Sequence, residues 1–317
     1  MTIRTLEPRS TEVGGVPIAR LLPNKGKQPI GAWCFLDHAG PAEFAQNDLG
    51  VQVGRHPHTN LQTFSWMIDG EILHKDSLGS EQVITKNQVN LMTAGTGLNQ
   101  GISHTEQSVF ADEADQHETD SSAAHRHINM IQLWIALPTK QQIERSFHHY
   151  PELPTWTEGN VELILTTGCY QSVSGKLYQA PTLQYSKLVG IDVHFLEDGD
   201  IPLNLESSFE YGILVVAGEL ESEGQVYKKD QLLRFYRTDV TNHTTITLVA
   251  KKGTRLMFIG GEPLSNQVLL WWNFVADNKE ELKQSVIDWN NGHERFGEVD
   301  SDMQRLVAPE VPKGLKG

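Results

Sequence analysis

One stretch of this chain limits what the rest can become. From Gly54 to Glu106 it alternates short apolar runs with turn dipeptides, and residue types that bind metals stand at either end. His56 and His58 open the stretch; His104 and Glu106 close it. Within each pair the residues are two apart, a spacing that sends both side chains to one face of a β-strand. Between the pairs, residues 64–68 and 82–84 read as strands, with turn signals at Asp69-Gly70 and Leu78-Gly79. If these strands fold into a barrel, both pairs turn inward and converge on one ion. Three neutral imidazoles and one carboxylate suit a divalent first-row metal, and ligand type alone leaves iron(II), manganese and zinc open. A His-x-His pair by itself carries little weight in a chain with 13 histidines. His125-Arg126-His127 is another, and its polar, acidic surroundings read as solvated loop. The ordered set of His-x-His, a hairpin-rich interval and His-x-Glu is what distinguishes the first pair.

Several runs within and beyond this stretch resemble the pirin family of the cupin superfamily. They are Arg55-His-Pro-His-Thr59, Gly70-Glu-Ile-Leu-His-Lys-Asp-Ser-Leu-Gly79, Met92-Thr-Ala-Gly-Thr-Gly97 and Ile102-Ser-His-Thr-Glu106. Gln132-Leu-Trp134, Leu137-Pro138, Trp271-Trp-Asn-Phe-Val275 and Arg295-Phe-Gly297 extend the resemblance along nearly the whole chain. It implies an all-β bicupin, two cupin barrels or sandwiches in tandem, with a helical tail. It also implies one metal per chain, most simply iron(II), held by His56, His58, His104 and Glu106. Manganese, zinc, nickel, cobalt and copper stand as alternatives. Some bacterial pirins look like quercetin 2,3-dioxygenases, and a regulatory iron-loaded role toward a protein partner is also attributed to the family. Two departures bear on the site. Gln62 stands where the family usually has Glu, and residues 98–100 lengthen a loop beside the last motif.

The chain has 317 residues, 38% of them hydrophobic, enough for two domains with real cores. The expected division is 1–138 for the metal-binding cupin, 139–160 for a linker, 161–262 for a second cupin, and 263–317 for a strand and helix tail. Mean hydropathy is −0.36, and no apolar run is long enough to cross a membrane. No apolar segment suggests a secretory signal, and Cys34 and Cys169 are the only cysteines, both expected as buried small hydrophobes. A cytoplasmic monomer is the simplest expectation. A net charge of −14 opposes binding to nucleic acid, whose affinity rests on positive surface. The run from Asp112 to Asp120 reads as a mobile acidic loop.

From residue 161 onward short strands recur. Setting Gly218 on Gly70 reveals an internal echo between Phe64-Ser-Trp-Met-Ile-Asp-Gly-Glu-Ile72 and Tyr211-Gly-Ile-Leu-Val-Val-Ala-Gly-Glu219. In that register Asn204, Glu206 and Lys252 replace His56, His58 and His104, so the second cupin is expected to hold no metal. The tail then shifts to a helix capped by Asp277 and Glu280, with Leu282, Val286 and Trp289 on its apolar face and Gly292 at its end. Residues 307–317 read as frayed.

The donor set leaves an octahedral metal two free positions, where an enolic aromatic substrate and dioxygen can meet. Redox-active iron suits that use better than zinc. Glu106 can serve as ligand and as acceptor of a substrate proton. His74 reads as a hydrogen-bonding residue of its hairpin, not a ligand. Phe64, Trp66 and Met92 are candidates for either core or pocket lining.

Overall fold

The computed structural model describes residues 3–24, 29–110, 126–236, 245–265 and 268–315. The acidic run 112–120, with His117 and His125, lies outside the described residues. The chain divides into two compact units, each discontinuous in sequence. One comprises Ser10–Ile18, Ala39–Pro151 and Asn266–Gly317; the other comprises Met1–Arg9, Ala19–His38 and Glu152–Ser265.

The first unit contains a four-stranded sheet with spatial order Gln52–His58, Ile102–Ser108, Ile72–Asp76, Glu81–Ile84. Its larger sheet sets Ser146–Tyr150, Val89–Thr93, Leu61–Asp69 and His127–Ala136 side by side in that order. A core that includes Val16, Met67, Ile72, Ile84 and Met130 draws from both sheets. In the second unit, a sheet containing Val161–Gln171, Leu188–Phe195, Arg255–Gly261 and Glu210–Ala217 accompanies a four-stranded one. Leu163, Ile191 and Phe258 meet Leu203, Leu220 and Leu248 between them. Among the described residues no sheet closes on itself, and the larger sheet of the second unit branches where Leu177–Gln179 pairs with Val161–Gln171, so each cupin is a sandwich and not a closed barrel.

Residues 139–160, read from the sequence as a linker, carry two strands. Ser146–Tyr150 pairs with Val89–Thr93, and Thr155–Glu158 pairs with Val161–Gln171. His127 opens a strand and forms a 2.9 Å ion pair with Asp69, in place of the solvated loop expected there. Cys34 is buried as expected, but Cys169 is exposed. The end of its strand alternates, turning Cys169 outward and Tyr170 inward.

The internal echo has a structural basis. Gly70 (φ 89°) and Gly218 (φ 74°) are both left-handed turns that follow corresponding strands, Leu61–Asp69 and Glu210–Ala217. A Cβ on Gly70 would meet the His127 carbonyl oxygen at 2.3 Å, so glycine is needed there on both counts.

The tail docks on the first unit's own residues. The helix spans Lys279–Asn290, and its cap is Asn278, whose Oδ1 accepts the Glu281 N–H at 2.9 Å. The cap falls one residue later than the sequence implies because the Asp277 carboxylate is engaged by the Thr139 hydroxyl. Leu282, Val286 and Trp289 are buried, packing with Phe274, Phe296 and Ala308. Residues 307–315, expected as frayed, are held in place. Asn290 brackets Ala308 through both its backbone groups, and Trp271 Nε1 donates to the Pro309 carbonyl at 2.9 Å. Among the described residues no helix is long and apolar enough to cross a membrane. Truncating the fully buried Leu282 to alanine is expected to destabilise the first unit by about 3 kcal/mol through the cavity left behind, read by denaturant unfolding.

Candidate metal centre

Strand register brings the sequence-distant histidines together. Ile102–Ser108 lies between Gln52–His58 and Ile72–Asp76, with His104 opposite His56 on one side and opposite Asp76 on the other. A bulge between His104 and Glu106 shifts the pairing to Gln52–His58, leaving Glu106 opposite Val53 there and opposite His74 across the other edge. His56, His58 and His104 converge so that one ring nitrogen from each lies within 4.8 Å of the others. All three are buried. Glu106, expected as the fourth ligand, is half-buried on the same strand and is not part of that close set.

Each imidazole is aimed by a partner on its Nδ1. His56 Nδ1 donates to the Gly54 carbonyl at 2.8 Å, and His58 Nδ1 donates to the Asn273 carbonyl at 3.1 Å. A carbonyl only accepts, so both rings carry their proton on Nδ1 and turn a lone pair on Nε2 into the site. His104 reaches the same tautomer by a longer route. The Asp76 carboxylate lies 3.0 Å from His74 Nε2 and accepts its proton. His74 Nδ1 therefore holds a lone pair, and it accepts from His104 Nδ1 at 3.3 Å. Asp76 itself is fixed, its other oxygen accepting the Leu78 and Ser80 N–H groups at 2.8 and 3.1 Å. Burial pushes the Asp76 carboxyl up, but His74 and those two amides outweigh it and hold the pKa below the ordinary value. His74 also stacks on Phe147, ring centroids 4.5 Å apart.

This arrangement fits a divalent cation. With the tautomers so fixed, His58 Nε2 and His104 Nε2 face each other as lone pairs at 3.0 Å, which is repulsive unless a positive charge lies between them. Two nitrogens each about 2.1 Å from one ion and at right angles to it stand about 3 Å apart. Burial lowers the pKa of all three rings, His56 to about 4 and the other two well below the ordinary value, so they stay neutral and ready to bind. Burial raises the Glu106 carboxyl.

The tail completes the site. The Asn273 carbonyl belongs to the tight turn between Leu269–Trp271 and Phe274–Ala276, where Trp272 has φ 52°. Arg55 N–H donates to the Gln304 carbonyl and Arg55 O accepts from Leu306, so the tail runs along the strand that carries His56. A Cβ on Gly54 would meet that Gln304 oxygen at 2.2 Å. Asn60, at φ 55°, ties the turn after His58 to Val275, Glu281 and Gly97. The loop lengthened at 98–100 is pinned as well: Arg295 Nη1 donates to Gln100 O, and Arg145 Nη1 to Gly101 O.

Sequence reasoning found the three imidazoles and the hydrogen-bonding nature of His74, but not its partner His104. It missed Gly54 and Asn273, which act through backbone carbonyls and leave no side-chain signal. Asp76 had one: His-x-Asp has the same two-residue spacing as the ligand pairs. Trp134 packs edge-on against His58 with centroids 5.1 Å apart. Phe64, Trp66 and Met92 are core residues, each 1% exposed or less. Gln62 is buried and donates to Thr93 Oγ1 at 3.1 Å.

Two outcomes follow from this geometry. Asp76→Asn turns an amide N–H toward His74, reversing both tautomers so that His104 meets the metal with N–H. Metal affinity should fall roughly 10–100-fold in chelator competition while the fold persists. Metal-free protein should lose stability in acid. The folded His56 titrates near 4 against an ordinary 6.5, so the unfolded chain binds more protons between those values. The contribution is full above about 6.5 and lost as pH falls through about 4, measurable as denaturation midpoint against pH.

The comparisons agree with this architecture. Residues 15–135 match the Pirin family model, and residues 190–297 match the Pirin C-terminal cupin domain. A Pseudomonas aeruginosa protein provisionally named quercetin 2,3-dioxygenase is 42% identical over 98% of this chain and 91% of its own length. A Caulobacter vibrioides pirin-like protein is 30% identical over 93% of this chain and 95% of its own. The crystal structure of a quercetin 2,3-dioxygenase from Acinetobacter baumannii superposes with a TM-score of 0.87 at 39% identity, covering 99% of this chain and 97% of that one. The chain belongs to the pirin family.

Proposed function

We propose that this protein is a mononuclear iron(II) dioxygenase that opens a flavonol such as quercetin or a related enolic aromatic. The observation that carries the reading is the convergence of three buried, neutral imidazoles whose Nδ1 partners turn all three Nε2 lone pairs to one point. His56, His58 and His104 would hold the metal, with Glu106 as a fourth, looser ligand. Iron(II) bound there supplies redox chemistry between dioxygen and an enolic oxygen. The names of the Pseudomonas and Acinetobacter proteins support the same substrate class.

The protein's own residues divide the remaining work. The three Nδ1 bonds keep the rings from rotating, so the donor geometry is set before any substrate enters. Glu106 takes the proton from the substrate hydroxyl. Its burial raises the carboxyl toward neutral pH and strengthens it as a base relative to a surface glutamate. The reading also includes a cytoplasmic location, consistent with Cys34 and Cys169 forming no disulfide.

Iron-loaded protein should consume oxygen and bleach the flavonol absorbance with quercetin, well above free iron. Glu106→Gln keeps an oxygen donor but loses the proton acceptor. It should retain most of its metal and lose turnover by roughly 100-fold, in the range that positioned bases contribute. Wild type that holds iron yet gives no turnover would replace the enzyme by an iron-loaded binding protein.

A further inference from the structure

The second unit contains a cavity of 310 Å³ that no metal chemistry accounts for. Among the described residues the three-histidine group is the sole cluster able to hold a metal, and it belongs to the other unit. Asn204 and Glu206, the residues that the internal echo sets against His56 and His58, line it. The echo ends there: Lys252, set against His104, does not line the cavity, and the strand Gly199–Asn204 turns Ile201 and Leu203 into the core.

The replacement is chemically specific. Phe209, Tyr211, Phe258 and Tyr170 form the buried walls. Tyr211 and Phe258 stack with centroids 5.0 Å apart, and Phe209 tilts against Tyr211 at 5.9 Å. Both phenol oxygens accept from the backbone of the rim: Tyr170 from Asn204 N–H at 2.9 Å and Tyr211 from Glu206 N–H at 2.6 Å. An oxygen that accepts in this way still has its own proton to donate. Burial raises both phenols, Tyr170 to about 12, so both protons are retained at neutral pH. Glu206, exposed at the mouth, adds an acceptor. A recess backed by aromatic side chains, with convergent polar groups on its surface and a volume at the small end of the roughly 300–1,000 Å³ range, has the size of a small-molecule pocket.

We infer that the second cupin binds a small hydroxylated aromatic molecule, its ring against Leu205 and Phe209 and its hydroxyl groups between the tyrosine donors and the Glu206 carboxylate. A neutral phenol fits better than an aromatic acid, because Glu206 would repel a second carboxylate. This assignment stands apart from the dioxygenase reading, since it uses neither the metal nor any residue of the first unit.

Cys169 supplies a local reporter. It lines the cavity and is exposed, whereas Cys34 is buried and slow to react. The experiment uses the full chain stripped of metal by chelator, a chromogenic disulfide reagent, and resorcinol, which carries two hydroxyls but cannot chelate through adjacent oxygens. Resorcinol should slow Cys169 modification saturably, and cyclohexanol at the same concentrations should not. Tyr211→Phe should weaken the half-protecting concentration about fivefold, the worth of one hydrogen bond. Glu206→Gln, at an exposed position where folding is not at stake, should weaken it similarly, and His56→Ala should leave it unchanged. An unprotected thiol, equal protection by cyclohexanol, or protection that disappears in His56→Ala would each overturn the assignment. None of these results touches oxygen consumption by the iron-loaded enzyme.

Discussion

The first cupin is organised by a conflict between burial and lone-pair repulsion. Three imidazoles sit out of water with their Nε2 atoms turned toward one another, two of them 3.0 Å apart. Nothing in the protein relieves that contact, because each Nδ1 is committed to an acceptor and the rings cannot exchange tautomers freely. Burying polar nitrogens without partners is costly, and a cation turns the same geometry from repulsive to cohesive. The acceptors come from different layers of the fold. Gly54 is local, His74 and Asp76 belong to the adjacent strand, and Asn273 arrives from the tail. A displacement in any one of them is felt as a rotated ring at the centre.

The two cupins show what the same frame does under different side chains. Both retain a left-handed glycine after the corresponding strand. In the first, three imidazoles converge in the interior. In the second, aromatic rings and phenol oxygens back the recess, and the Glu206 carboxylate stands at its mouth. The same frame thus carries different chemistry according to its side chains.

Much of this was legible in the sequence, for reasons that can be located. Period-two spacing is a property of strands themselves, so His56 with His58 declared a shared face before any pairing was known. The helical spacing of Leu282, Val286 and Trp289 likewise declared one apolar face, and all three are buried. The bulge after His104, which leaves Glu106 outside the close set, had no such signal. Interactions of the backbone were not legible. The Asn273 carbonyl and the close approach at Gly54 have no side-chain signature. The two strands within 139–160 depend on partners the local sequence does not announce. The helix cap shifted by one residue for a similar reason, since a threonine far away in sequence had already claimed Asp277.

The hydrogen bond from His58 to Asn273 spans 215 residues of chain. During synthesis, therefore, the ribosome has delivered every histidine of the triad long before it delivers the carbonyl that orients one of them. A nascent first cupin emerges with its donors present and His58 free to present either ring nitrogen. The site becomes selective when the C-terminal hairpin closes over it. A chain cut short before that hairpin would keep all three histidines and still lack the carbonyl that fixes His58.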